Sequence, residues 1–341
     1  MQIGDRSFLP QHHCEESRDL ADSCRSKPVP KRTRLCILNS LGIKDFYAEA
    51  VLLAIGSWTG QEAGLKLSQF LKGNMPEHID LRPYLEGPCK EISNYAAVLI
   101  AEDDGLGSGT FVKACGFDGI LTAHHVLNDV FRFEEFALCL ADKPESLRPI
   151  RTDSAECVPL GPAPKDAKKD DGPDLAFIIL RDAGLLARIR EHKKFYCLDS
   201  TSLKDFDCKF QGMPWCVAGT NEESKDTSED HQDGRLTRVA NFVAVGTFQS
   251  RSVTDEFDYI KLKMTAGEYV FPHNYMGVSG GGIWLIPLLG NQRVGSPILG
   301  GVQFHQADPE KHERILTGHG FDSIYSHVRQ ALNKNERNRI E

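Results

Sequence analysis

From Asn94 onward, short apolar runs alternate with turn residues. The runs NYAAVLIAE (94–102), GSGTFVKA (107–114) and DGILTAHHV (118–126) read as three consecutive strands. Runs of the same character follow: FALCLA (136–141), LAFIIL (175–180), FVAVGTF (242–248), YIKLKM (259–264), GGIWLIP (281–287) and SPILGGVQF (296–304). Many short strands joined by Gly-rich turns point to an all-β sandwich or barrel rather than a parallel α/β sheet. Two polar tracts, 164–173 and 221–234, read as surface loops by composition. Near the end, Phe321, Ile324, Tyr325, Val328 and Leu332 recur at helical spacing. They predict a docked terminal helix whose start Asp322 or Ser323 caps.

The part before Asn94 has a different texture. Residues 1–34 are polar, irregular and charged, and read as disordered. In 35–90 the stretches 45–58 and 60–73 carry a helical period, broken near Gly56–Gly60, before Pro76, Pro83 and Pro88 punctuate a linker. The expected division is therefore a disordered segment (1–34), a small helical region with linker (35–90) and a β-rich domain (91–335).

Composition narrows the functions. The 341 residues are 40% hydrophobic and 26% charged, as in a globular protein. A net charge of −8 disfavours nucleic-acid binding, which needs clustered cations. No run approaches the roughly 20 apolar residues that cross a bilayer, and the first residues lack an apolar signal core. The 10 cysteines contain no Cys-x-x-Cys pair, which speaks against structural zinc. Without a signal segment they read as reduced thiols, and the expected compartment is the cytoplasm. The basic stretch 27–34 reads as solvated. His312, His319 and His327 lack helical ligand spacing and read as surface residues, so no metal site is expected.

Three motifs carry chemistry. Thr122-Ala123-His124-His125-Val126 places histidines at the end of a β-like run. Asp174-Leu175-Ala176-Phe177 opens another; its Asp alone reads equally as a turn former. Gly277-Val278-Ser279-Gly280-Gly281-Gly282 sets a serine among glycines. That backbone either forms a flexible turn or bends to aim two N–H groups at one point, as an oxyanion requires. A serine hydroxyl is a poor nucleophile at neutral pH; an imidazole must take its proton and a carboxylate must hold the imidazole's tautomer. His, Asp and Ser occur here in that chain order.

On these motifs the segment from about Asn94 to Asn333 resembles the trypsin-like serine peptidases, especially the intracellular bacterial and HtrA-like members. GSGTFV, TAHHV, DLAF, GVSGGG and the strand Leu299-Gly300-Gly301-Val302 carry the resemblance. It implies a chymotrypsin-like double β-barrel with a C-terminal helix, and an endopeptidase that works through an acyl-enzyme and needs no cofactor. It implies roles for His125 as base, Asp174 as its orienting carboxylate and Ser279 as nucleophile, with the N–H groups of Gly277 and Ser279 forming the oxyanion hole. It also places His273 near the base of the primary pocket, Met276 at its rim, and Phe304 and His305 on the opposite wall. The expected partner is a protein or peptide substrate, with residues 1–90 available to a regulatory protein.

The match has departures. Val278 stands where digestive members carry the Asp that pairs with a newly released N-terminus, so the loop around Ser279 must be held in another way. No acidic residue sits at the pocket base, which disfavours Lys or Arg at the cleavage site. The two histidines suit an acidic side chain. The competing readings are a catalytically silent peptide-binding or scaffold module and an acyl hydrolase acting on a non-peptide substrate.

Overall fold

The computed structural model describes residues 82–101, 105–140, 147–160, 173–200, 213–222, 226–230, 234–238, 241–265, 275–289, 292–293, 295–307 and 313–340. All belong to one compact unit, Ser68–Glu341. The expected disordered segment, the two expected helices before Pro76, the loop 164–172, His273 and His312 lie outside the described residues.

The first described element is α1 (Arg82–Ser93), where the sequence suggested linker. Pro83 sits in the first turn, where its missing N–H costs nothing, and Pro88 lies inside the helix. Ile92 is fully buried and Leu85 nearly so.

A first sheet follows. It comprises β1 (Ala96–Ala101), β2 (Leu106–Ala114), β3 (Phe117–Thr122), then α2 (His124–Phe131), β4 (Glu135–Cys139), β5 (Leu147–Arg151), β6 (Ala155–Pro159), β7 (Ala176–Leu180), α3 (Ala183–His192) and β8 (Tyr196–Cys197). Its strand order is β5-β4-β1-β2-β3-β7-β6, with β8 parallel to β2. β1 is buried on both faces: Ala97, Leu99 and Ala101 join the barrel core with Phe111 and Ile120, while Val98 and Ile100 meet Cys139. β2 and β3 join through Cys115 and Gly116, whose φ of 50° and 81° give the type I′ twist that a tight hairpin wants.

The run 118–126 was expected to be one strand. It is β3 up to Thr122 and then α2, because Val126, Leu127 and Val130 bury one helical face. β5, β6 and α3 were not anticipated; α3 is capped by Asp182, whose carboxylate accepts from the Leu185 N–H at 2.6 Å.

The second half contains β9 (Trp215–Thr220), β10 (Asp226–Asp230), β11 (Gly234–Arg238), β12 (Asn241–Thr254), β13 (Phe257–Thr265), β14 (Gly282–Leu285), β15 (Leu288–Leu289), β16 (Gln292–Arg293), β17 (Ile298–Gln306) and β18 (Glu313–His319). Six of these close a barrel in the order β12-β13-β18-β17-β14-β9. β10, within the tract 221–234 expected to be loop, pairs with β11, which starts at the last residue of that tract, as a two-stranded ribbon. The β10 sequence, DTSED, gives no apolar alternation to read. The chain ends in a π-helical turn (Ser323–His327) running into α4 (Val328–Ile340). Phe321, Ile324, Tyr325, Val328 and Leu332 are all buried, as their spacing predicted. The architecture is mostly β, two barrel-like sheets of which the second is a closed barrel, followed by a C-terminal helix, and is consistent with the expected chymotrypsin-like double β-barrel. No helix among the described residues is long and apolar enough to cross a membrane.

Candidate active site

His125 lies in the first turn of α2, where backbone N–H groups have no partner inside the helix. The antiparallel register of β3 and β7 sets Thr122 opposite Ala176, which carries Asp174 to the helix start. One Asp174 oxygen accepts the His125 backbone N–H at 2.8 Å; the other lies 2.5 Å from His125 Nδ1. The carboxylate therefore caps the helix and fixes the ring together. With the Nδ1 proton directed at Asp174, the Nε2 lone pair is free to act as a base.

Burial opposes the charge on His125, but the Asp174 hydrogen bond and the Asp174 charge outweigh it and raise the imidazole above its ordinary value. Burial likewise opposes ionisation of Asp174, and the bonds and charge of His125 reverse it, so the carboxyl is held below its usual range. Its neighbour His124 is buried, its Nδ1 unpartnered, and desolvation lowers its basicity. The structure thus distinguishes the two adjacent histidines: His125 reaches Asp174 and His124 does not.

Beneath Asp174 lies His319, which the sequence placed at the surface. It is fully buried on β18, ringed by Phe257, Tyr259 and Phe304 at centroid distances of 5.6, 5.0 and 4.8 Å. Its Nε2 accepts the Asp174 backbone N–H at 3.0 Å, so its proton sits on Nδ1. Desolvation lowers its pKa to about 4 and keeps it neutral. His327, also expected at the surface, is half-buried and stacks on Phe257.

Ser279 belongs to the turn between Tyr275 and β14. Nearly every peptide group of that turn is held. Tyr275 N–H donates to Gln306 Oε1 (2.7 Å), Glu222 N–H to the Met276 carbonyl (3.0 Å) and Ser108 Oγ to the Gly277 carbonyl (2.7 Å). Val278 N–H donates to Tyr275 O, Gly280 N–H to Gln303 O and Gly281 N–H to Val278 O. The Ser279 carbonyl accepts from Ser108 N–H at 2.9 Å. Among the described residues, two N–H groups in this turn take no acceptor, those of Gly277 and Ser279. In a trans peptide the N–H points opposite to the C=O, so anchoring the Met276 and Val278 carbonyls sets both directions. Gly277 and Gly280 have φ of 86° and 88°, which a side chain resists.

The turn packs against the end of β3. A Cβ on Gly280 would collide with Ser108 O and Thr122 Oγ1 and lie 3.1 Å from Ala123 N. Val278, which cannot form an ion pair, is instead fully buried in a hydrophobic core that draws on both halves, a contribution of about 1.5–3 kcal/mol.

The Ser279 hydroxyl donates to the Phe304 carbonyl at 3.4 Å; among the described residues it makes no hydrogen bond to His125. The other expected positions divide. Met276 is exposed at 57% and His305 is half-exposed. Phe304 is buried, its ring against Tyr259 and His319, and it meets Ser279 through its carbonyl. Sequence reasoning gave no role to Ser108, Gln303, Gln306 or His319; for Ser108 the signal was its place between two glycines in GSG. Among the described residues no cluster of His, Cys, Asp and Glu is fit to hold a metal ion.

No protein-family model and no curated protein matches the chain. Among 180 solved chains that match is one described as an HtrA-type protease AlgW with tripeptide, at 14% identity and a TM-score of 0.38. The alignment covers 73% of this chain and 65% of that one, so the chain spans less than two thirds of that protein's length.

Proposed function

We propose that the chain is a serine endopeptidase of the trypsin-like kind. The observation that carries this reading is the turn at Ser279: its peptide groups are anchored so that the N–H groups of Gly277 and Ser279 remain without a protein acceptor. Gly277 and Ser279 are half-exposed, so the two N–H groups are open to a ligand, and a developing oxyanion is the partner that this pair fits.

In this reading Ser279 Oγ attacks the scissile carbonyl and His125 Nε2 takes its proton. The carbonyl oxygen, now negative, receives the two N–H groups. His125 passes its proton to the amine nitrogen as the C–N bond breaks, leaving an acyl-enzyme. Water then attacks the acyl carbon, again giving its proton to His125, and the acid leaves as Ser279 recovers its hydrogen. Asp174 holds the ring and stabilises its charged form throughout. The peptide extends the sheet along β17 beyond Gln303, whose N–H and carbonyl are taken by Gly281 and Gly280. The acidic preference suggested by His273 and His305, the cytoplasmic location and a regulatory partner on residues 1–90 belong to the same proposal.

One observation favours the silent alternative: the Ser279 hydroxyl is bonded to Phe304 rather than to His125. A fluorophosphonate probe decides between them. The endopeptidase reading expects wild type to be labelled on Ser279 and Ser279→Ala to take no label. Label retained in Ser279→Ala refutes the assignment, and an unlabelled wild type that still binds peptide supports the scaffold.

A further inference from the structure

Ser108 lies on β2, in the first barrel, yet two carbonyls of the second-barrel turn end on it. Its hydroxyl donates to the Gly277 carbonyl at 2.7 Å and accepts from the Thr220 N–H of β9 at 2.8 Å. Its own N–H donates to the Ser279 carbonyl at 2.9 Å, and its carbonyl accepts from Thr122 Oγ1 at 2.7 Å. All four hydrogen-bonding positions are used, and the residue is wholly buried. Two glycines make this closeness possible. A Cβ on Gly219 would lie 2.6 Å from Ser108 Oγ, and one on Gly280 would strike Ser108 O.

The two carbonyls that Ser108 holds belong to Gly277 and Ser279, the residues whose N–H groups face the proposed oxyanion. Pulling the Gly277 carbonyl toward β2 sets the 277–278 peptide, and pulling the Ser279 carbonyl sets the 279–280 peptide. The two free N–H groups lie in the preceding peptides, held through the Met276 and Val278 carbonyls, so with Ser108 on the following peptides the planes on both sides of Gly277 and of Ser279 are held. Only the hydroxyl is specific to serine; any residue supplies the N–H. Among the described residues no charged group supports the turn from inside: its residues 276–281 carry none, and Val278 is apolar.

We infer that Ser108 is a positioning residue for the oxyanion hole, a buried neutral brace between the barrels that keeps the hole formed without proteolytic release of an N-terminus. This rests on the endopeptidase reading. The hydroxyl touches no substrate; it acts through the Gly277 peptide. Losing it takes the hydroxyl partner from the Gly277 carbonyl, and the turn must relax to satisfy that group. Displacement of one hole donor then follows, short of the ~10²–10³-fold cost of deleting one outright.

The test uses the full chain, with Ser108→Ala and the near-isosteric Ser108→Cys, which retains a weak donor. Active sites are titrated with the fluorophosphonate, and turnover of a peptide substrate is expressed per titrated site. The expected result for Ser108→Ala is a kcat about 10–10²-fold lower per site, a KM within about threefold of wild type and an unmoved pH midpoint for kcat/KM, since His125 and Asp174 are untouched. Ser108→Cys falls between the two. A purely structural role lowers the number of titrated sites but not the turnover of each, so wild-type turnover per site in both variants overturns the inference. Amide hydrogen exchange over 275–282 supplies a readout independent of turnover. Exchange at Val278, Gly280 and Gly281 must rise in the variants, and unchanged protection overturns the brace even if wild type proves silent. A wild type without label or turnover sinks the endopeptidase reading; variants that match an active wild type sink the brace alone.

Discussion

His319 sets a condition on the residue beneath which it lies. Its Nε2 must stay unprotonated to accept the Asp174 N–H, and burial that lowers its pKa to about 4 ensures this near neutrality. An unfolded histidine titrates near 6.5. Between about pH 6.5 and 4 the unfolded chain therefore binds a proton that the folded chain refuses, and stability is lost as pH falls through that window. At about 1.4 kcal/mol per pKa unit the loss approaches 3 kcal/mol by pH 4. His319→Gln removes the titration while keeping an acceptor of similar reach. Urea midpoints at pH 7 and pH 5 should differ less in this variant than in wild type by the equivalent of about 2 kcal/mol. Equal shifts in both proteins would show that His319 is not what makes the site acid-labile. No feature of the sequence announced this residue, because its partners come from far along the chain: Asp174 is 145 positions away. His125, Asp174 and Ser279 were legible because each sits in a short motif of fixed type.

At the scale of elements, the turn before β14 rests on close approach as much as on conformation. Gly116 and Gly280 separate these two demands. Both have positive φ, 81° and 88°, but a Cβ on Gly116 meets nothing within 4 Å, whereas one on Gly280 strikes β2 and β3. Gly116→Ala should cost about 1 kcal/mol, from conformation alone. Gly280→Ala adds an overpacking term and should cost about 2–5 kcal/mol, with labelling of Ser279 falling more than about 10²-fold. Thermal melts and labelling rates of the two variants check this; similar losses in both would remove the case for a close-packed turn. The strands around this turn could be read from apolar runs bounded by glycine. What could not be read were elements whose pattern is set by neighbours. α2 hides inside a run that looks like strand because its apolar residues follow β3 directly. β10 hides in a polar tract because its sequence, DTSED, offers no apolar position to alternate.

For the whole molecule, the decisive feature is that the candidate site belongs to neither barrel alone. His125 and Asp174 come from the first, Ser279 from the second, and their alignment depends on how the two halves are fastened. Trp284 is the aromatic link between them. It lies on β14, three residues beyond Gly281, is almost fully buried, and stacks on Tyr95 at 5.3 Å and edge-on to Tyr196 at 5.3 Å, both from the first half. Tyr325 of the terminal helical segment reinforces the join by donating to the Leu299 carbonyl of β17 at 3.0 Å while its hydroxyl lies 3.4 Å from that of Tyr196. Truncating such a ring leaves a cavity between the halves, at a cost of about 3–5 kcal/mol. Trp284→Ala leaves both barrel ladders with their backbone bonds, so the loss should fall on alignment first. In a urea series followed in parallel by far-UV circular dichroism and by fluorophosphonate labelling, the variant should stop labelling at a lower urea concentration than the one at which its β-signal is lost. Wild type should lose both together. A variant whose two transitions coincide would mean that the barrels unfold as one body and that Trp284 stabilises the fold without separately aligning Ser279 on His125.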